Sequence, residues 1–454
     1  MTNTLAVVME GVVAGTLTMA SRGGALSFRY EPSYAADPNA TPLSVGLPVD
    51  TVEYRGSAVT NWLRNLLPDS SDVLDRWGRL FGVSSNSPFR LLEHVGRDVA
   101  GAAQFVPVPD GTAAETIDLA ELADGGVQWL DDDELAARLA EVRTDPAAWT
   151  PEMQAGLFSL AGAQAKLALR YDEKTDRWGL PTGAEPTTRI LKPYNDSLPN
   201  HALNEHLTLR LASQVGLNVA TSTVADIGGY AVLVVERYDR FLVEGSMRRV
   251  HQEDLCQALR LPPGAKYETD GGPGIVAIVK RLEALQGVAA RADVDRFLAA
   301  QAFAWATAGT DAHAKNYSLL LAGSQVRLAP LYDLQSAAPY FTYDRRSVPK
   351  GAISSYTAGL AMAVGGTRRF HDVTIKSWRK LAEDIGRTDD DVLAIAHSVV
   401  DALPAAVASV VGSAEALAGH RGQARFLKTY EATVVKHASA MRHLLDGKKP
   451  YGVR

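Results

Sequence analysis

The sequence predicts an α+β fold in two lobes, and three observations carry that prediction. Alternating apolar runs joined by short turns punctuate the first 245 residues, as at 5–9, 12–19, 221–227 and 230–236. A period of two is the pattern of strands with one buried face. From about residue 246 to 454 apolar residues recur mainly at helical spacing. At 302–336 a helix-like run stops at Gly309, the polar knot Asp311-Ala-His313-Ala-Lys315-Asn316 follows, and a hairpin leads to Leu331-Tyr332-Asp333.

Composition sets the outer limits. A chain of 454 residues holds two or three domains and a sizeable core. With 46% hydrophobic and 22% charged residues it reads as an ordinary soluble globular protein. A net charge of -6, from 46 basic and 52 acidic residues, gives no global attraction for nucleic acid, so DNA contact would need a local patch or a partner. The single Cys256 excludes an internal disulfide and a multi-cysteine metal site, and suits a reducing cytoplasm. The apolar run at 5–9 has no Lys or Arg before it and is interrupted by Glu10 and punctuated by Gly11 and Gly15, so a hairpin fits better than a signal peptide. No window reaches the uninterrupted apolar length of a membrane span, and a cytoplasmic protein without membrane contact is expected.

Residues 1–108 read as a small α+β subdomain: three strands, a Pro- and Asn-rich loop at 32–42, a helix at 58–66 and a second opened by Pro68-Asp69-Ser70-Ser71. A helical stretch at 89–95 and a strand at 103–108 complete it. No titratable cluster with catalytic spacing appears there, so it is expected to serve recognition or packing. Residues 109–148 read as an acidic helical connector, in which Asp131 to Glu134 favour the positive end of a helix at 135–142.

Residues 149–245 read as a nucleotide-binding, β-rich lobe. The run Ser159-Leu-Ala161-Gly162-Ala163-Gln164-Ala-Lys166 is made of small residues that let backbone N–H groups approach phosphate, with a lysine adding charge. Neither the Walker A pattern nor G-x-G-x-x-G is present, and a tight turn with an exposed Lys is the alternative. A strand at 186–193 ends near Lys192, and a helix at 199–215 carries Glu205, a candidate partner for that lysine or a surface or capping residue. Strands at 221–227 and 230–236 meet at Gly228-Gly229, a two-residue hairpin turn. Glu236, Arg237 and Tyr238 follow, where a hinge would meet an adenine; a strand end rich in ion pairs is the alternative.

Residues 246–454 read as an all-α lobe, with helices expected at 252–259, 275–285, 293–308, 374–385, 388–401, 403–418 and 422–445. His397, His420, His437 and His443 have no metal-binding spacing and read as packing or surface residues. The spacing Asp311-x-x-x-x-Asn316 with Asp333 downstream is the one phosphoryl transfer uses in protein kinases. There the first Asp orients and deprotonates the acceptor hydroxyl, the Asn holds Mg²⁺, and the later Asp joins metal to phosphates. The hexapeptide alone better suits a capped or closed turn with His313 packed beneath it, and only its context favours the kinase reading. Set behind a small-residue loop, a Lys strand, one helix and a hinge-like strand, it gives the order of a two-lobed, protein-kinase-like fold.

Several of these motifs together resemble one family. S-L-A-G-A-Q-A-K at 159–166, P-T-T-R-I-L-K-P at 186–193, V-E-R-Y-D-R at 235–240, H-Q-E-D-L-C-Q-A-L at 251–259, D-A-H-A-K-N-Y-S at 311–318 and P-L-Y-D-L-Q-S-A at 330–337 look like the HipA serine/threonine kinase toxins. N-L-L-P-D at 65–69 and G-A-A-Q-F at 101–105 resemble that family's N-terminal subdomain. The resemblance implies a bacterial type II toxin–antitoxin kinase using ATP and Mg²⁺, with a protein substrate, typically an aminoacyl-tRNA synthetase. It also implies a HipB-like helix-turn-helix antitoxin and, mainly through it, operator DNA. Carried over, Asp311 would be the catalytic base, Asn316 and Asp333 the metal ligands, and Lys192 the phosphate-binding lysine. Ala161, Gly162, Ala163, Gln164 and Lys166 would cradle phosphate, Glu236, Arg237 and Tyr238 would hold adenine, and His313, Lys315 and Tyr332 would line the site. Ser159 would be autophosphorylated. The chain departs from ordinary kinases in placing Asp311 after G-T and in reading Y-D-L where D-F-G would stand, so no activation loop follows by analogy. A small-molecule kinase of similar fold and a non-catalytic co-repressor are the rival readings.

Overall fold

Leu5, Val7 and Met9 send their side chains into the main core while Ala6, between them, packs with Val108 and Ala114 on the other side, so the strand Thr4–Met9 is covered on both faces. The computed structural model describes residues 3–21, 24–50, 52–119, 125–144, 158–159, 164–193, 199–287, 290–344, 346–414 and 423–448. Around Thr4–Met9 an antiparallel sheet forms in the order Glu53–Arg55, Leu26–Tyr30, Val12–Met19, Thr4–Met9, Gln104–Pro107. Trp62 and Leu63 of helix Ser57–Asn65, Trp77 of Ser71–Phe81 and Phe89 of Pro88–Val95 join its core.

A second sheet runs in the order Ser222–Ile227, Tyr230–Glu236, Arg189–Lys192, Leu167–Asp172, Arg177–Pro181, Val127–Trp129. Gly228 and Gly229 both take positive φ, 62° and 81°, as a two-residue hairpin turn of the right twist requires. The edge strand Val127–Trp129 comes from the stretch read as a connector, and helix Asp132–Thr144 sends Leu135 and Leu139 into the core, so that stretch is part of the lobe. Leu167, Leu169, Leu191 and Val232 of this sheet share one hydrophobic core with the N-terminal unit.

Polar contacts tie the N-terminal unit both to this sheet and to the residues after it. Asp98 accepts from Thr187 N–H and Oγ1, from Arg237 at 3.3 Å and from Arg240 at 2.9 Å, with Arg249 at 3.3 Å. Burial would raise its carboxyl, but Arg240, Arg237 and Arg249 outweigh that and hold it at about 2. His251 accepts from Ala102 N–H on Nδ1 at 3.2 Å and donates from Nε2 to the Leu43 carbonyl at 2.9 Å.

The second lobe is built on helix Ala290–Ala306, whose Phe297, Phe303 and Trp305 are fully buried. Helices Ile275–Gln286, Asp389–Ala414 and Gln423–Leu445 pack against it. The lobe is not all-α. Residues expected to open a helix at 252 form the strand His251–Asp254, which pairs with Ser318–Ala322, itself paired with Gln325–Leu328. The helix starts later, at Leu255, because the Asp254 carboxylate accepts from Gln257 N–H while Asp254 N–H donates to Gln257 Oε1, a reciprocal cap.

The two helices expected either side of residue 402 are one, Asp389–Ala414, with Pro404 inside it. An interior proline removes a hydrogen bond and usually breaks a helix. Here Val400, Leu403 and Val407 stay in one continuous core across it. By length and composition alone this helix, with a mean hydropathy of 1.7 over its most apolar window, matches a membrane span, although His397 and Asp401 interrupt its apolar run. It packs instead against His201–Gln214, Ala290–Ala306, Ile375–Asp384 and Gln423–Leu445 as a core helix.

Two measurements follow. Asp98→Ala leaves buried arginines without their shared carboxylate and should cost roughly 3–5 kcal/mol in denaturant unfolding; a loss below about 1 kcal/mol would contradict the clamp. Burial lowers His251 from 6.5 to about 4. Above pH 6.5 it is neutral folded and unfolded; as pH falls below that, only the unfolded chain takes up the proton, so stability drops until about pH 4. His251→Gln should therefore lose on the order of 2 kcal/mol less than wild type between about pH 7.5 and about pH 5. Equal losses by chemical denaturation would refute this role.

Candidate active site

Lys192 ends the strand Arg189–Lys192 in the interior of the second sheet and is almost wholly buried. Its Nζ donates to Glu205 Oε1 at 2.7 Å and to Asp333 Oδ1. Glu205 is buried on helix His201–Gln214, and its other oxygen accepts from Gln335 at 3.2 Å. On the same helix Asn204 donates to the Ser336 carbonyl at 2.8 Å and accepts from Ser336 N–H at 3.0 Å. Strand, helix and the loop after Asp333 are thus tied around one ammonium. Burial works against that charge, but Asp333 and Glu205 outweigh it and raise Lys192 above the ordinary lysine value. Asp333 is held at about 2 because Lys192 and Lys166 outweigh its burial. Its φ of 53° places a non-glycine residue in the left-handed region, a local strain of the kind concentrated at functional sites.

The facing wall comes from the segment after helix Ala290–Ala306. Asn316 donates its amide NH₂ to the Asp311 carbonyl at 2.7 Å, which leaves its carboxamide oxygen as the atom for a cation. The Asp311 side chain is 58% exposed, and its Oδ1 accepts from the Tyr267 hydroxyl. Burial and Asp311 both push the Tyr267 phenol up, so it stays a donor. An acceptor hydroxyl reaching Asp311 must share that carboxylate with Tyr267 or displace it. His313 Nε2 stands 3.7 Å from Asp311 Oδ1, its pKa lowered by burial. Lys315 Nζ donates to Asp69 Oδ1 at 2.6 Å, and Lys266 Nζ donates to Asp69 Oδ2 at 2.8 Å.

These walls enclose a cleft of about 440 Å³. Gln164, Lys166, Lys192, Glu205, Glu236, Arg237, Tyr238, Asp311, His313, Lys315, Asn316, Tyr332 and Asp333 all border it. Ile190, Ala220, Val235, Tyr238 and Tyr332 make one part apolar, with the two tyrosine rings 5.9 Å apart. Loss of solvent pushes Lys166 down to about 8. Ala161, Gly162 and Ala163 lie outside the described residues.

Two expected roles meet obstacles. The Arg237 guanidinium is turned into the buried network with Asp98, Asp239, Thr187 and the Val99 carbonyl, so its side chain is committed away from a nucleotide. Ser159 does not border the cleft. It lies in a short strand parallel to Asp98–Val99, and its buried hydroxyl donates to the Leu66 carbonyl at 2.7 Å.

Other residues at the cleft escaped the sequence reading. Asn65 and Asp69 come from the N-terminal unit, Asp254 ends the strand His251–Asp254, Gln257 lies in the short helix Leu255–Ala258, and Lys266 follows in the next turn. Burial raises Asp254 to about 6. No spacing flagged Asp69, which sits in an ordinary helix-start motif; the N-L-L-P-D and H-Q-E-D-L-C-Q-A-L resemblances marked the regions of Asn65, Asp69 and Asp254 without giving those residues a role. Among the described residues no group of three or more His, Cys, Asp or Glu side chains could hold a metal ion by itself.

Comparison with known proteins identifies a family. Residues 5–106 match the family description "HipA N-terminal domain" and residues 158–407 match "HipA-like C-terminal domain". A Sinorhizobium fredii protein, Y4mE, named for an inferred kinase activity, is 33% identical over 406 residues, covering 88% of this chain and 90% of its own. The serine/threonine-protein kinase toxin HipA of Shewanella oneidensis is 32% identical over 321 residues, covering 67% and 69%. A solved Shewanella oneidensis complex of HipA, HipB and operator DNA superposes with a TM-score of 0.78 at 25% identity, covering 98% of each chain. With both domain profiles matched in order and relatives named as kinases aligned along its length, the chain belongs to the HipA family.

Proposed function

We propose that this chain is an ATP- and Mg²⁺-dependent serine/threonine protein kinase acting as the toxin of a type II toxin–antitoxin pair. The observation that carries the reading is the Lys192 ammonium held between Glu205 and Asp333 across a cleft from Asp311 and Asn316. The residues fit the nucleotide. Asn316 and Asp333 offer oxygen donors, which suit a hard cation that completes its shell with phosphate oxygens. The apolar part beside Tyr238 suits a base, and Lys192 and Lys166 suit phosphates. Bound Mg²⁺-ATP would supply the phosphoryl group and neutralise its charge.

The chain's own residues have defined parts. Lys192, kept straight by Glu205, fixes the phosphates. Asn316 and Asp333 would hold the cation together with phosphate oxygens. Asp311 would orient the acceptor hydroxyl for in-line attack on the terminal phosphorus and take its proton, while the bond from that phosphorus to the bridging oxygen breaks and ADP leaves. Little covalent chemistry falls to the protein, so positioning and charge stabilisation provide most of the acceleration. The exposure of Asp311 favours a hydroxyl carried on a macromolecule over an enclosed metabolite, and a translation component such as an aminoacyl-tRNA synthetase is the proposed acceptor. The Shewanella assembly supports a HipB-like antitoxin and operator DNA as partners. A reducing cytoplasm is the proposed setting. Autophosphorylation at Ser159 requires the strand Phe158–Ser159 to leave Asp98–Val99, because a phosphate of roughly -1.5 to -2 charge does not fit a buried hydroxyl site.

With labelled Mg²⁺-ATP and phosphosite mapping, wild type should label itself, on Ser159 where that strand opens. Asp311→Asn and Asp333→Asn should each reduce transfer by about 100-fold or more. Wild-type turnover by either variant would remove the site assignment.

A further inference from the structure

We propose that Asp69, contributed by the N-terminal unit, is a positioning residue of the phosphotransfer site, setting the Lys315 ammonium beside Asp311 and Asn316 for the group in transit. This inference rests on the kinase reading above. Asp69 lies in the turn between helices Ser57–Asn65 and Ser71–Phe81. Two bonds fix the start of that turn against the rest of the chain: Asn65 donates to the Leu261 carbonyl at 2.9 Å, and the Leu66 carbonyl accepts from Ser159. Both Asp69 oxygens are used, by Lys315 at 2.6 Å and Lys266 at 2.8 Å, and all three residues border the cleft. Burial would raise the carboxyl, but the two lysines outweigh it and hold Asp69 below its ordinary value.

Lys315 precedes Asn316 directly and follows Asp311 by four residues. A lysine on a flexible four-carbon stem makes a poor fixed charge unless something holds it. A carboxylate takes one of its three N–H groups and leaves two for phosphate oxygens. A cation preset in this way stabilises charge as it develops, without reorganising during the reaction. Asp69 has an opposing effect too, because its negative charge repels the phosphates. Its removal makes the pocket more cationic, so nucleotide binding does not suffer while the order of Lys315 does. The signature of positioning is therefore a fall in kcat without a rise in KM.

The test uses the full chain and labelled Mg²⁺-ATP, counting phosphate transferred to the protein and to water. Asp69→Asn should lower kcat about 10- to 100-fold with KM for Mg²⁺-ATP unchanged or lower. Asp69→Glu, which keeps the charge, should recover part of the loss. Lys315→Met breaks the same contact from the other side and should lose at least as much kcat. In that background Asp69→Asn should add less than about twofold, since it acts through Lys315. An Asp69→Asn kcat within about twofold of wild type, or a full additional loss in the Lys315→Met background, overturns the proposal and leaves the kinase reading standing. A wild-type chain that binds Mg²⁺-ADP yet transfers nothing overturns the kinase reading, and this inference with it.

Discussion

The rest of the structure depends on the Lys192 ammonium and the two carboxylates that share it. Strand Arg189–Lys192, helix His201–Gln214 and the loop at Asp333 meet at one buried cation. Neither Lys192 nor Glu205 could stay charged alone so far from water. Their mutual need fixes the helix against the sheet, and through Asn204 and Ser336 against the second lobe. The cleft keeps its shape because separating its walls would expose unpaired charge.

The N-terminal unit is the third wall. It shares a hydrophobic core with the nucleotide-binding sheet, and the Asp98 network clamps it to the hinge. Glu253, in the strand His251–Asp254, accepts from Val45 N–H at 2.8 Å and from Trp62 Nε1 at 3.1 Å, and burial raises its carboxyl to about 7. A domain held by this many buried polar contacts presents its loops to the cleft in a fixed position. That is why a side chain as distant in sequence as Asp69 reaches Lys315.

Much of the architecture was legible because it is local. Period-two runs marked the strands, the Gly228-Gly229 pair marked a hairpin, and Asp311, Asn316 and Asp333 announced themselves by spacing and by what preceded them. Lys192 and Glu205 followed from element order. The H-Q-E-D run misled because its helix begins only where the Asp254 cap allows, and its first residues are claimed as a strand by Ser318–Ala322. Pro404 misled because packing along Asp389–Ala414 overrides the local cost of an interior proline.

By itself the sequence determined the order of elements, the chemical groups of the candidate site and their family, since each depends on neighbours within a few residues or on a recurring pattern. Only the tertiary structure decided that the Arg237 side chain turns away from the cleft, that Ser159 is shut beneath Leu66, and that Asp69 enters the site. Where a charged side chain points depends on which opposite charge it meets when the chain closes. Those partners lie tens to hundreds of residues away, and no local pattern records them.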